Sequence, residues 1–566
     1  MSEASRIPPE LRRYVVEQDY AQYSEVDQAV WRFVLLQTYQ RLQHTAHPAY
    51  REGLAQTGIS VERIPRISEM SERLSRFGWS AVCVDGFIPP RAFQEFQAAS
   101  ILPIAADMRS IDHLTYTPAP DIIHEAAGHA PILPDARYAA YLRAIGEAGK
   151  KAFSSPEDAR VYATIFELSE VKETPGVAPE LVRRAEERLE TALSQVSFVS
   201  EASRMSRLYW WTAEYGLVGT PSDYRLYGAG LLSSLWESHA CHDPVVRKLP
   251  LSAECVEQSY DITRTQPQLF VARDFEQLFS VLNEVEASLV HHQGGDASLA
   301  AALGSEDLCT LHFREQRFLT GTLRAVRGNA RGGLLTVHGR VGVGEQGRLT
   351  HVFDAGERGY HLPFGPLEGG VELRSLGTVG KRARVRFASG VELEGQLASV
   401  AEDDQGRIGS ARFLDYRLDS ERAGVSERGS EYLLFVAQEL VTAHAGALDP
   451  AFHLATEPTG IRVPKPRQLA ARERALLALY ERAVEAFRNQ AGSRAVRVFH
   501  EIHGELRTHF PDEWLLRWNL LECLCKWGET GAFGAELERE LQALELKFAQ
   551  REPIASGLRY LASLAG

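Results

Sequence analysis

The hydrophobic pattern of this 566-residue chain changes period twice, and those changes limit what it can fold into. From roughly Pro9 to Ala287 apolar residues return at helical intervals, as in DQAVWRFVLLQTYQRLQ, where Val30, Phe33, Val34, Tyr39 and Leu42 recur with the period of a helix. Between about 330 and 445, Gly-punctuated alternation takes over. RARVRFASGVELEGQL puts Val385 and Phe387, then Val391 and Leu393, on one strand face with Ser-Gly between them. From about Pro464 the helical period returns with Leu476, Leu479, Tyr480, Ala483, Val484 and Phe487. A further helix carrying Trp514, Trp518, Leu521 and Cys525 is expected to start after Pro511. So long a chain exceeds one compact core. The expected organisation is a mainly α unit over 1–290, a polar linker over 291–329 that includes HHQGGDASLAAALGSED, a β-rich domain over 330–460, and a helical domain over 461–566 built as a small solenoid or bundle.

Composition narrows the partners. Hydrophobic residues make up 44% and charged ones 24%, the mix of a globular protein that buries its cores. A net charge of −13 argues against nucleic acid or an anionic membrane, because both require basic patches that release counterions. Small molecules or proteins are the expected partners, with a protein partner or self-association assigned to the C-terminal half. Cys83, Cys241, Cys255, Cys309, Cys523 and Cys525 have no disulfide-framework spacing, which fits a reducing cytoplasm. The N-terminal MSEASRIPPELRRYV lacks a signal-peptide pattern, and no apolar run approaches the roughly 18 residues a membrane helix needs.

The stretch Asp121 to Leu133, DIIHEAAGHAPIL, opens like the zinc-protease motif H-E-x-x-H but sets its second histidine one residue late. Five residues apart on a regular helix means about 140° of rotation, so His124 and His129 do not share a face there. They converge if the backbone loosens at Ala126-Ala127-Gly128 into an i to i+5 turn, a distortion found at functional sites. Gly128 tolerates such a backbone, and Pro131 discourages further helix. By spacing alone, two unrelated histidines satisfied by hydrogen bonds are an equal alternative.

The run LTYTPAPDIIHEAAGHAPIL, with LYWWTAEYGL and YGAGLLSS further on, resembles the pterin-dependent aromatic amino acid hydroxylases, the family of phenylalanine, tyrosine and tryptophan hydroxylases. The resemblance covers about Pro9 to Ala287 and implies a mostly α catalytic domain with a few short strands. It implies Fe(II), a tetrahydropterin (tetrahydrobiopterin or a relative) and O2, and a monooxygenase that hydroxylates the ring of a free aromatic amino acid. His124 and His129 match the family's histidine ligands and Glu214 its carboxylate ligand. Two histidines and one carboxylate leave positions open on an iron, which suits oxygen activation. Glu125 falls near the pterin and the iron-bound water. Ser233 matches a residue that supports a ligating histidine. Gly86, Phe87 and Ile88 match the loop whose backbone meets the pterin, Phe93 the residue that stacks on it, and Tyr209 another pocket residue.

For the substrate, Arg109 falls where the family binds the amino acid carboxylate, and Thr117 beside it. Trp210 would wall the aromatic ring, as in phenylalanine and tyrosine hydroxylases. Ile262 occupies a place that is apolar in phenylalanine hydroxylases and acidic in tyrosine hydroxylases, so the resemblance implies phenylalanine to tyrosine, a step of phenylalanine catabolism. The alternatives are a tryptophan or other aromatic hydroxylase, or a metal-binding relic that acts as a scaffold. The chain departs from the pattern in a charged helical insertion at about 152–196, in Ala119, and in Ala126-Ala127. No regulatory domain is expected ahead of the hydroxylase half.

Overall fold

The computed structural model describes residues 7–86, 88–114, 120–173, 177–262, 264–368, 376–402, 406–456, 469–489, 493–547 and 552–564. The helix Glu25–Thr45 starts with a reciprocal cap: Ser24 accepts the Asp27 N–H while the Asp27 carboxylate accepts the Ser24 N–H. Apolar side chains bury all round it, including Val30, Trp31, Phe33, Val34 and Leu35, because it is covered on two sides. On one side lies the N-terminal core. On the other lie the C-terminal helices.

Two small sheets aim the functional segments. Strand Ser80–Val84 runs parallel to Ile101–Ala105, joined through the helix Pro90–Ala98. Four short strands form the second sheet in the order Asp223–Leu226, Leu217–Thr220, Gln268–Ala272 and Arg247–Pro250. The expected insertion forms two helices, Pro156–Glu173 and Pro179–Ser194, packed on each other.

The β-rich part begins earlier than the sequence pattern suggests. The stretch expected as a linker, 291–329, contains the helix Gly295–Ser305 and the strands Leu308–Phe313 and Arg317–Asn329. The polar run before it hid an alternating segment in which Cys309, Leu311 and Phe313 are buried. Antiparallel strands form a sheet in the order Arg348–Asp354, Gly332–Glu345, Arg317–Asn329, Leu308–Phe313 and Leu440–Ala445, with Tyr360–Phe364 also paired to Gly332–Glu345. A second antiparallel sheet runs Arg382–Arg386, Glu392–Glu402, Ile408–Ser420, Val425–Phe435. The two sheets share one core, in which Val385, Phe387, Val391 and Leu393 are buried together as their alternation indicated.

Five helices follow, Ala471–Asn489, Ser493–His509, Leu515–Trp527, Gly531–Lys547 and Glu552–Leu564. They belong to the same hydrophobic core as the N-terminal helices. Phe33 meets Trp514 and Trp518 edge-on at 5.0 and 4.8 Å, and Arg32 pairs with the buried Glu522 at 2.8 Å. Among the described residues, no helix is long and apolar enough to cross a membrane.

Candidate metal centre

Both segments that carry the expected ligands are widened helical turns. In His124–His129 the Ala130 N–H donates to the Glu125 carbonyl, and in Trp210–Glu214 the Tyr215 N–H donates to the Trp210 carbonyl at 2.9 Å. These i to i+5 bonds bring residues five apart back toward one face. The rings of His124 and His129 lie 5.2 Å apart and perpendicular. Gly128 serves a different purpose from the one its conformational freedom suggested. A Cβ there would lie 2.7 Å from the Ala229 carbonyl oxygen, so glycine lets the segment Ala229–Leu232 approach, and Ser233 follows directly at its C-terminal end.

Glu214 reaches both histidines. Its Oε2 lies 3.2 Å from His124 Nε2 and its Oε1 3.1 Å from His129 Nε2. Ser233 Oγ donates to the Ala229 carbonyl at 2.7 Å, which leaves it to accept from His124 Nδ1 at 3.2 Å. Nδ1 therefore carries a hydrogen and Nε2 points at the carboxylate. Burial works against charge on His124, but the Glu214 carboxylate overrides it and pushes the imidazole up to about 9. Burial likewise opposes charge on Glu214, yet His129 and His124 hold it well below the usual carboxylate range. The three donors lie within 4.8 Å of one another, and the set of two imidazoles and one carboxylate fits a mononuclear ferrous ion.

Glu125 is buried beside the trio, with Oε2 lacking a hydrogen-bond partner, and burial pushes its carboxyl up to about 8. Phe93 and Tyr209 lie against the ring of His129. The Phe93 ring lies 6.2 Å from that of His129 and 5.7 Å from that of Tyr209, whose hydroxyl accepts from Gln97 at 2.6 Å. Gly86 has a left-handed φ of +63° just past the strand Ser80–Val84, with open space where a Cβ would be. Ile88 is buried in a small cluster with Val15, Val84 and Phe96. Phe87, Thr117 and Ala119 lie outside the described residues.

Arg109 is not free-standing. Its Nε and Nη2 donate to the two carboxylate oxygens of Asp121, each at 2.7 Å, and both side chains are buried. Asp121 also accepts the His124 N–H at 3.2 Å, so one carboxylate ties the arginine to the metal trio. Sequence reasoning passed over Asp121, although it stands three residues before His124, the spacing of a capping carboxylate. Tyr260 was passed over too. It stacks on Trp210 at 4.2 Å, and the Trp210 indole donates to Gln266 Oε1 at 3.2 Å. Ile262 sits half-buried between these two partners of Trp210 in sequence. No local pattern marks a partner fifty residues away.

With this geometry in view, the comparisons with known proteins identify the class. The model of the biopterin-dependent aromatic amino acid hydroxylases matches residues 13–169 and 193–292, leaving 170–192 of the helical insertion unmatched. The chain belongs to that family. It is 30% identical over 269 residues to phenylalanine-4-hydroxylase of Ralstonia nicotianae, covering 47% of this chain and 72% of that one. It is 28% identical over 274 residues to phenylalanine-4-hydroxylase of Pseudomonas aeruginosa, covering 48% and 87%. Among solved structures, Chromobacterium violaceum phenylalanine hydroxylase with iron(III) and 7,8-dihydrobiopterin aligns at a TM-score of 0.39 and 27% identity, covering 48% of this chain and 85% of that one. The N-terminal half is thus a pterin-dependent hydroxylase with a metal site of the iron type, followed by β-rich and helical regions.

Proposed function

We propose that this chain hydroxylates free phenylalanine to tyrosine with Fe(II), a tetrahydropterin and O2, in the cytoplasm and in the service of phenylalanine catabolism. The observation that carries the reading is the buried Glu214 carboxylate, held between His124 and His129 with no lysine or arginine paired to it among the described residues. Iron and the reduced pterin, when bound, supply the activation of oxygen.

The chain's own residues position and protect. His124, His129 and Glu214 hold the metal, and Ser233 fixes His124 in the tautomer that offers Nε2. Phe93 offers a ring for the pterin to stack on, Tyr209 closes that side, and the backbone of Gly86, Phe87 and Ile88 reads the pterin edge. Glu125, buried and holding its proton, donates through that hydrogen toward the pterin side. Arg109, aimed by Asp121, takes the substrate carboxylate with the N–H groups that Asp121 leaves unused, and Thr117 assists it. Trp210, held by Tyr260, walls the substrate ring, and Ile262 offers no partner for a phenol hydroxyl, which favours phenylalanine over tyrosine. The catalytic unit is assigned to 1–290 with its insertion at about 152–196, and the β-rich and helical units are appended to it.

Chelating the iron should abolish tyrosine formation and restoring Fe(II) should recover it, in an assay offering phenylalanine, tyrosine and tryptophan together with a tetrahydropterin. Turnover that ignores iron or pterin would end the reading. A product from tryptophan alone would overturn the roles given to Trp210 and Ile262.

A further inference from the structure

A second group of metal-ligating side chains lies away from the hydroxylase site, at the seam with the β-rich region. The helix Phe275–Ala287 ends near Glu286, and the short helix Val290–Gln293 follows with His291 and His292. One donor atom from each of Glu286, His291 and His292 lies within 4.8 Å of the others. The two rings are 4.2 Å apart, and His292 Nε2 lies 3.5 Å from Glu286 Oε1.

Three features set this trio apart from a chance cluster. Both ring nitrogens of His291 are shut off from water, yet neither has a hydrogen-bond partner. A neutral imidazole carries one N–H and one lone pair, so a hidden ring with neither engaged carries an uncompensated desolvation cost. A metal ion would engage the lone pair. Burial, His292 and Lys151 all disfavour a positive charge on the His291 ring. Lys151 also weakens the attraction for a cation, but it occupies none of the donor atoms.

The backbone is held on both sides. Val290 N–H donates to Glu201 at 2.5 Å, Thr442 Oγ1 donates to the His291 carbonyl at 2.7 Å, and a Cβ on Gly294 would lie 2.5 Å from the Val441 carbonyl oxygen. Thr442 and Val441 belong to the strand Leu440–Ala445, so the loop is fixed between the two regions before any ion arrives.

A third trio, His503, Glu536 and Glu540, shows the contrary case. Arg517 Nε donates to Glu540 at 2.9 Å and Arg507 Nη1 to Glu536 at 3.0 Å, so arginines already neutralise it. No arginine pairs with Glu286 among the described residues.

We propose that Glu286, His291 and His292 bind one zinc ion at the seam between the hydroxylase region and the β-rich region. Imidazole and carboxylate donors suit a borderline divalent cation, and water completes a tetrahedral shell.

The test uses the full chain, stripped of metal by chelation and equilibrated with Zn2+ as the probe, with bound zinc counted by mass spectrometry. Wild type should hold two equivalents. His291→Ala and His129→Ala should each hold one, and the double variant none. If His291→Ala does not give folded protein by circular dichroism, Glu286→Gln, at a half-exposed side chain, takes its place and should also hold one. A His291→Ala or Glu286→Gln variant that holds as many equivalents as wild type overturns this site. A His129→Ala variant that keeps both equivalents counts instead against the hydroxylase site, so the two failures are distinguishable.

Discussion

Two histidine–glutamate contacts in this chain have similar lengths and opposite surroundings. In the hydroxylase region His129 meets Glu214 at 3.1 Å, and in the C-terminal helices His503 meets Glu540 at 2.9 Å. Glu540 also receives Arg517 and Arg507, whereas no lysine or arginine pairs with Glu214 among the described residues. A carboxylate taken out of water needs a positive partner. In the helices the sequence supplies a permanent one, and the cluster is a structural tie. In the hydroxylase region it supplies only imidazoles, whose lone pairs suit a metal. The presence of arginine therefore separates the two kinds of cluster better than contact distance does.

The largest expected effect tests the hydroxylase side. Glu214→Ala should purify without iron and lose hydroxylation to background, because two imidazoles alone leave the metal site one protein donor short. Glu125→Ala should keep its iron and instead impair pterin use, since Glu125 faces neither histidine as a hydrogen-bond partner. Iron content of both purified variants decides the matter: full iron in Glu214→Ala with loss in Glu125→Ala would reverse the assignment.

Next comes the tie in the helices. Arg517→Leu strands Glu540 beside His503 and also removes donors to the Phe510 and Glu513 carbonyls. Breaking a partly buried pair from one side costs about 3–5 kcal/mol, with the lower end expected because Glu540 retains Arg507 and some exposure. Denaturant unfolding of the helical region should register that loss while iron content stays unchanged. A drop in iron would mean that the helices act on the metal site. A smaller effect is expected at Ser233→Ala, where His124 loses the acceptor for its Nδ1 hydrogen. Such supporting contacts typically carry about 10–100-fold in metal affinity, which iron titration against a competing chelator measures.

What the sequence disclosed about these clusters depended on distance along the chain. The i to i+5 turn was legible in HEAAGH because the histidine spacing and a glycine fall within six residues, and the structure forms that turn. A second such turn at Trp210–Glu214 had no comparable cue. The pairing of Arg109 with Asp121 joins residues twelve apart, beyond the reach of local periodicity. The cover over the helix Glu25–Thr45 was written in its composition, since WRFVLLQTY leaves apolar residues on every side. That pattern requires burial all round but does not name the cover, which comes from Trp514 and Trp518 almost five hundred residues later. The strands between 308 and 329 were missed because a polar, glycine-containing run precedes them and drew the boundary too late.

The smallest expected effect isolates burial from distance. On the insertion, Arg188 pairs with Glu167 through two contacts of 2.6 and 2.9 Å, no longer than the 2.9 Å between Arg517 and Glu540. Both side chains are nearly half exposed, so water and salt already solvate the charges whether or not they meet. Exposed pairs of this kind contribute about 0–1 kcal/mol, because the Coulomb gain at high dielectric is offset by the ordering of two long side chains. Arg188→Ala should therefore leave the unfolding free energy within about 1 kcal/mol of wild type, and added salt should shrink even that difference. If Arg188→Ala instead cost as much as Arg517→Leu, contact length would rank these pairs after all, and the distinction drawn between an arginine-tied cluster and a metal-seeking one would lose its basis in burial.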